Sequence, residues 1–223
     1  MKPNILFIIA DDATYNDLSI YGGVNVKTPN IDQLAREGMV FKRAYLSMAM
    51  CNPCRSELYT GLYPARNGAC WNHSACRPGT KSIVHYLGDL GYRVGLCGKK
   101  HVVPDSSFPF ENVSGIEGGC THPDPDFSTD GIREFVGRDK DQPFCLVTGL
   151  FEPHAPWTLG HPEHFDTDVL KLPPHLADTQ ETRKDYAKYL AEIEVLDREI
   201  GEIENLKRSS FPNLLGRITS PKN

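Results

Sequence analysis

Residues able to do chemistry are concentrated in a few short stretches of this sequence. Asp11 and Asp12 follow directly on the apolar run Ile5 to Ala10. Two carboxylates at the end of a buried strand offer hard oxygen donors suited to Ca²⁺ or Mg²⁺, although Asp is also common in solvated turns and helix caps. Cys51-Asn52-Pro53-Cys54-Arg55 places a thiol just before an expected helix start, with Arg55 one turn further on. Free amides and the peptide dipole favour negative charge at such a place, so a thiolate nucleophile is conceivable. A phosphatase loop of the Cys-x5-Arg type would need Arg at position 57, which is Glu57, and that chemistry is excluded. Lys99, His101 and His154 each closely follow a predicted strand. Cys51, Cys54, Cys70 and Cys76 loosely imitate a zinc spacing, but the second pair is separated by five residues instead of two, which argues against structural zinc.

The elements that must position these groups alternate in type. Asn4 to Ala10 is a continuous apolar, β-branched run suited to a central strand covered on both faces. Thr28-Pro29 to Gly38 has a capping residue, Pro at the first helical position and Gly past the end. Met39 to Tyr45 is expected as a strand, Ser56 to Leu62 as a helix, Ser82 to Leu90 as a helix and Tyr92 to Cys97 as a strand. A helix over Thr129 to Arg138 and a buried strand over Phe144 to Phe151 follow. Thr179 to Glu204 carries apolar residues at 3–4 spacing from Tyr186 to Ile203, a packing stripe. The predicted class is α/β, a mostly parallel central sheet flanked by helices, in which ligands gather beyond the carboxyl ends of the strands.

Composition bounds the rest. The 223 residues carry 24 basic and 29 acidic side chains, a net charge of −5 that gives no support to nucleic-acid binding. No apolar run approaches the ~20 residues of a membrane helix, and Ile5 to Ala10 is shorter than the core of a signal peptide. The expectation is a cytoplasmic chain that contacts no membrane, or a periplasmic or secreted one if a leader precedes Met1. Seven cysteines cannot all pair within one chain, so free thiols are expected. Asn72-His73-Ser74 and Asn112-Val113-Ser114 match glycosylation sequons by chance on this reading. Residues 205–223 hold four basic and no acidic residues, with Pro212 and Pro221, and are expected to be irregular and outside the parent domain of residues 1–204.

Cys51-x-Pro53-x-Arg55 followed by Thr60-Gly61 resembles the signature of the type I, formylglycine-dependent sulfatases, members of the alkaline-phosphatase-like superfamily. Four more blocks agree in order: Ile5 to Asp12, Thr28 to Phe41, Gly91 to His101, and Pro143 to Trp157 with its Pro153-His154-Ala155-Pro156. The resemblance implies that a formylglycine-generating enzyme oxidises Cys51. It also implies that Asp11, Asp12 and position 51 bind Ca²⁺, with Mg²⁺ as the alternative. By the same likeness Arg55 steadies the nucleophile, His101 exchanges its proton, and Lys99 and His154 hold the sulfate of a sulfated small molecule or glycan. Departures are Cys54 in place of the usual Ser and Lys100 in place of Trp. The family's later metal ligands and a further sulfate-binding Lys do not appear after Gly201, so the chain is expected to be the N-terminal part of such a domain, shortened and impaired. The alternatives are a phosphoester or phosphonate hydrolase of the same superfamily, and a catalytically dead fragment.

Overall fold

The computed structural model describes residues 2–117 and 126–210. In chain order the elements are β1 (Ile5–Ile9), α1 (Pro29–Glu37), α2 (Cys51–Thr60), α3 (Pro64–Asn67), α4 (Ile83–Asp89), β2 (Arg93–Gly98), β3 (Glu111–Val113), β4 (Ile116–Glu117), β5 (Asp126–Phe127), α5 (Asp130–Gly137), β6 (Phe144–Gly149) and α6 (Gln180–Ser210). Four strands form one sheet in the order β1-β6-β2-β3 with every pairing parallel; β4 and β5 make a small antiparallel ladder beside it.

Strand polarity explains the layers. Residues of β2 and β6 are buried on both faces, which is why these strands read as unbroken apolar runs. Successive side chains point to opposite sides. Leu146 and Cys97 therefore pack toward Ile132 and Phe135 of α5 and toward Leu196, Ile200 and Ile203 of α6. Val147 and Leu96 face the other way, toward Tyr59 of α2 and Phe108. The half-buried β1 lies at the edge of the sheet.

Three expected boundaries differ. Met39 to Tyr45 forms no strand; Met39, Phe41 and Tyr45 are 76%, 67% and 86% exposed, and apolar content without a neighbouring strand does not make a ladder. Helix α2 begins at Cys51, five residues before the expected Ser56, because Pro53 falls in the first turn, where no backbone N–H is needed. It ends at Gly61, whose φ of 68° is the left-handed cap conformation. Helix α6 runs to Ser210, beyond the expected end at Glu204; residues 211–223 lie outside the described residues. No helix among the described residues is long and apolar enough to cross a membrane.

Candidate active site

The register of the sheet brings the chemistry together. Ile9 of β1 and Gly98 of β2 both pair with Gly149 of β6, so the three strands end at one level. Asp11, Lys99 and the segment leading to His154 leave the sheet side by side. Helix α2 points its N-terminus at the same place, and Cys51 and Arg55, four residues apart, share one helical face.

At the centre lies a buried charge cluster. Arg55, Asp11 and Lys99 are 2%, 4% and 4% exposed. The Lys99 ammonium donates to Asp11 Oδ2, and Arg55 Nη2 lies 3.4 Å from Asp11 Oδ1. Arg55 Nη1 donates to the Lys99 carbonyl at 2.7 Å, and Lys99 Nζ is 3.8 Å from Cys51 Sγ. One carboxylate thus holds two cations in line with the helix start that carries position 51. Gly149 makes the approach possible: a Cβ there would meet the Lys99 carbonyl oxygen at 2.5 Å and Arg55 Nη1 at 3.0 Å.

Asp12 behaves differently from its neighbour. Its φ of 63° turns the side chain away from Asp11's buried position, and its side chain is 60% exposed. His154 Nε2 stands 3.8 Å from Asp12 Oδ2, while His154 Nδ1 is 2.6 Å from the Ala155 carbonyl. A carbonyl only accepts, so Nδ1 carries a proton and Nε2 is the ring nitrogen facing the site. Tyr189 of α6 fixes this stretch by accepting from the Thr14 amide at 3.0 Å, and Glu192 accepts from the amides of Thr158 and Leu159 just beyond His154.

Among the described residues, the metal-ligating side chains that gather within 4.8 Å of one another are Asp11, Cys51 and His154. Asp12 lies beside this group, with Asp11, Leu46, Met50, Cys51, Cys54 and Arg55, in the lining of a pocket of about 310 Å³. The four cysteines of the loose zinc spacing do not form such a group. Carboxylates adjoining position 51 fit a hard divalent cation in kind, while in this structure the two oxygens of Asp11 are engaged by Arg55 and Lys99. Two carboxylates fall short of the roughly 6–8 oxygens Ca²⁺ takes, leaving further ligands to be drawn from elsewhere.

Electrostatics set the resting protonation. Burial, then Asp11 and Asp12, push the Cys51 thiol up, against the opposing pull of Lys99 and Arg55. It is therefore a protonated thiol at neutral pH and a poor nucleophile as it stands. His101, with φ of 43°, is held below the ordinary histidine range by burial, then by the positive charge of Lys99 and by His73, so its ring is neutral at pH 7. Its Nδ1 is buried without a hydrogen-bond partner.

Some participants escape sequence reasoning. His73, exposed on the loop after α3, holds its ring 5.3 Å from that of His101, tilted by 47°. Asn72 Oδ1 accepts from the Asn52 amide in the first turn of α2, and Asn52 Nδ2 donates to the Ser74 carbonyl, pinning that loop against the site. The only prior signal was the Asn72-His73-Ser74 sequon pattern, which says nothing about contact with His101.

Comparison with known proteins follows the same lines. The family model described as Sulfatase matches residues 3–210. An ulvan-active sulfatase of Formosa agariphila is 32% identical over 206 residues, covering 92% of this chain and 41% of the relative. An N-acetylglucosamine-6-O-sulfatase of Bacteroides thetaiotaomicron is 30% identical, covering 82% of this chain and 36% of the relative. A sulfatase structure from Bacteroides fragilis superposes with a TM-score of 0.79 at 23% identity, over 95% of this chain and 59% of that one. A phosphonate monoester hydrolase of Agrobacterium radiobacter gives 0.73 at 19% identity, over 94% and 60%. At these identities the structures speak to the fold, which is the open α/β sheet of the alkaline-phosphatase-like proteins. The chain spans about two fifths of the length of the first curated relatives it matches. Five ordered sequence blocks, a family match over nearly the whole described chain and a common fold agree: this chain belongs to the sulfatase family.

Proposed function

We propose that this chain supplies the nucleophile and sulfate-binding half of a sulfuric ester hydrolase acting on a sulfated sugar, with formylglycine made from Cys51 by a formylglycine-generating enzyme. The observation that carries the reading is the meeting of Asp11, Arg55, Lys99 and Cys51 in one cluster, with a ring nitrogen of His154 within 4.8 Å of ligand atoms of Asp11 and Cys51. A protonated, desolvated thiol gives little nucleophilicity here, whereas a hydrated formylglycine would present a hydroxyl for attack on sulfur and release sulfate by returning to the aldehyde. Ca²⁺, or Mg²⁺, held by Asp11, Asp12 and position 51, would polarise a sulfate oxygen and favour the ionised hydroxyl.

The chain's own groups do the remaining work. Lys99, 3.8 Å from position 51, places a fixed positive charge where a sulfate oxygen would lie. Arg55 anchors the Asp11 carboxylate and the strand-end carbonyl of Lys99, keeping the cluster in register. His101 is neutral at pH 7 and so able to take a proton from the position-51 hydroxyl as sulfate departs. His154, its Nδ1 proton tied to Ala155, turns Nε2 into the site, where a ring protonated at both nitrogens would donate to the leaving oxygen.

Sugar specificity is drawn from the two curated relatives, whose names specify ulvan and N-acetylglucosamine 6-sulfate as their targets. The test is to co-express the chain with a formylglycine-generating enzyme, verify conversion by a loss of about 18 Da at position 51, and measure sulfate release from N-acetylglucosamine 6-sulfate and from aryl sulfate with added Ca²⁺. Release that depends on conversion is expected. No release from fully converted protein, or equal turnover of aryl phosphate or phosphonate esters, overturns the reading.

A further inference from the structure

Cys54 has no part in the chemistry above, yet it stands beside the residue on which that chemistry depends. Both cysteines belong to the first turn of α2, both are free and half-buried, and both line the pocket of about 310 Å³. Helical rise and radius put residues three apart about 5 Å from Cα to Cα, inside the roughly 4.4–6.8 Å window that a disulfide spans. Their Cβ atoms start about 5–6 Å apart and must close to about 3.5–4.5 Å. The first turn can yield that distance. Pro53 lacks an amide, and Met50, the residue before the helix, makes no side-chain cap.

We propose that Cys51 and Cys54 form a reversible disulfide, a redox modification site that withholds Cys51 from conversion to formylglycine. The oxidant is a small disulfide such as oxidised glutathione. The thiolate of one cysteine attacks a glutathione sulfur, forming a mixed disulfide and expelling one glutathione thiolate. The second cysteine then attacks the protein-bound sulfur, closing the Cys51–Cys54 bond and expelling the other glutathione. Two electrons pass from the cysteine pair to the glutathione disulfide, and the two thiol protons leave with the two glutathiones. A reduced dithiol reverses both steps. The bond itself is independent of the sulfatase reading; its effect on maturation rests on that reading.

The purified 223-residue chain, fully reduced and carrying unmodified Cys51, is incubated with oxidised glutathione, alkylated and cleaved after arginine. Residues 44–55 then form one peptide holding both cysteines. The expected product is that peptide unalkylated and lighter by about 2 Da than the dithiol, restored by dithiothreitol. Cys54→Ser should abolish this product and leave Cys51 alkylated or joined to glutathione. Both thiols of the wild type remaining open to alkylation after oxidation overturns the disulfide. In a second arm, oxidised and re-reduced chains are offered to a formylglycine-generating enzyme. Conversion at least tenfold lower in the oxidised chain is expected; equal conversion, with the disulfide present, overturns the link to maturation while leaving the hydrolase reading intact.

Discussion

The Lys99 ammonium rests directly on the Asp11 carboxylate, joining the ends of two strands that are not neighbours in the sheet, since β6 lies between them. The contact is almost entirely shielded from water, so each charge depends on the other. Lys99→Met should reduce sulfate release by two orders of magnitude or more, because the fixed charge facing position 51 is gone, about 2.7–4 kcal/mol of transition-state stabilisation. The fold should weaken by about 3 kcal/mol, the low end for a buried pair losing one partner, because Arg55 still faces Asp11. Chemical denaturation alongside activity on converted protein separates the two effects; an unchanged midpoint would show that the pair carries no stability.

Gly149 permits the close crossing of the Lys99 backbone and the Arg55 guanidinium. In Gly149→Ala the new methyl would lie 2.5 Å from the Lys99 carbonyl oxygen, a backbone atom with no room to retreat. Activity should fall at least tenfold and the unfolding free energy by about 1–3 kcal/mol, as in other overpacked sites. Thermal unfolding and sulfate release check this together; wild-type values in both would mean that the strand ends are looser than the register implies.

Asp197 of α6 caps α1 from outside. Its Oδ1 accepts from the Ile31 amide at 2.9 Å and its Oδ2 from the Asn30 amide at 3.2 Å and side chain at 2.8 Å. Thr28, the residue preceding α1, makes no side-chain cap of its own. Asp197→Ala should cost about 2 kcal/mol, the upper end for a lost cap, since the carboxylate serves two orphan amides in a buried setting. Hydrogen exchange should show the amides of Asn30 and Ile31 losing protection before the sheet does.

Glu199 of α6 is buried beside Glu152; burial first, and the neighbouring carboxylate second, hold its carboxyl well above the usual glutamate range. Glu192 is likewise pushed up to about 7, chiefly by burial. A group whose folded pKa is raised contributes its stability fully below the unfolded value, near 4.3 for Glu, and loses it as pH rises toward the folded value. Wild-type stability should thus decline from pH 5 to pH 8.5. Glu199→Gln, which cannot ionise, should flatten that decline, so that its melting temperature gains on the wild type as pH increases. Parallel melting curves for the two proteins across this range would contradict the assignment.

Much of this architecture was legible in the residues. β2 and β6 stood out because burial on both faces demands unbroken apolar runs, and the polar groups behind each strand marked the end of the sheet where chemistry gathers. Helix α2 was harder to bound: Asn52, Arg55 and Ser56 are buried polar residues, so the apolar periodicity that announces a helix is missing from its first half. Met39 to Tyr45 misled in the opposite sense, since its apolar content is real and only the pairing partner is lacking. Adjacency of Asp11 and Asp12 suggested a matched pair, but the positive φ of Asp12 sends the second carboxylate toward His154 while the first is drawn to Lys99 and Arg55. Contacts through space, such as His73 against His101 or Glu152 against Glu199, leave no local pattern to read.

The insertion of β6 between β1 and β2 has a temporal consequence. Ile5–Ile9 emerges from the ribosome early but finds its ladder partner only when Phe144–Gly149 has been made. At ordinary elongation speeds that delay is on the order of 10 s. Such non-local pairing slows folding, and an unsatisfied apolar strand is an aggregation hazard throughout the wait. Strand β1 is therefore where a nascent-chain chaperone would have most to protect, and where yield in a heterologous host would first be lost.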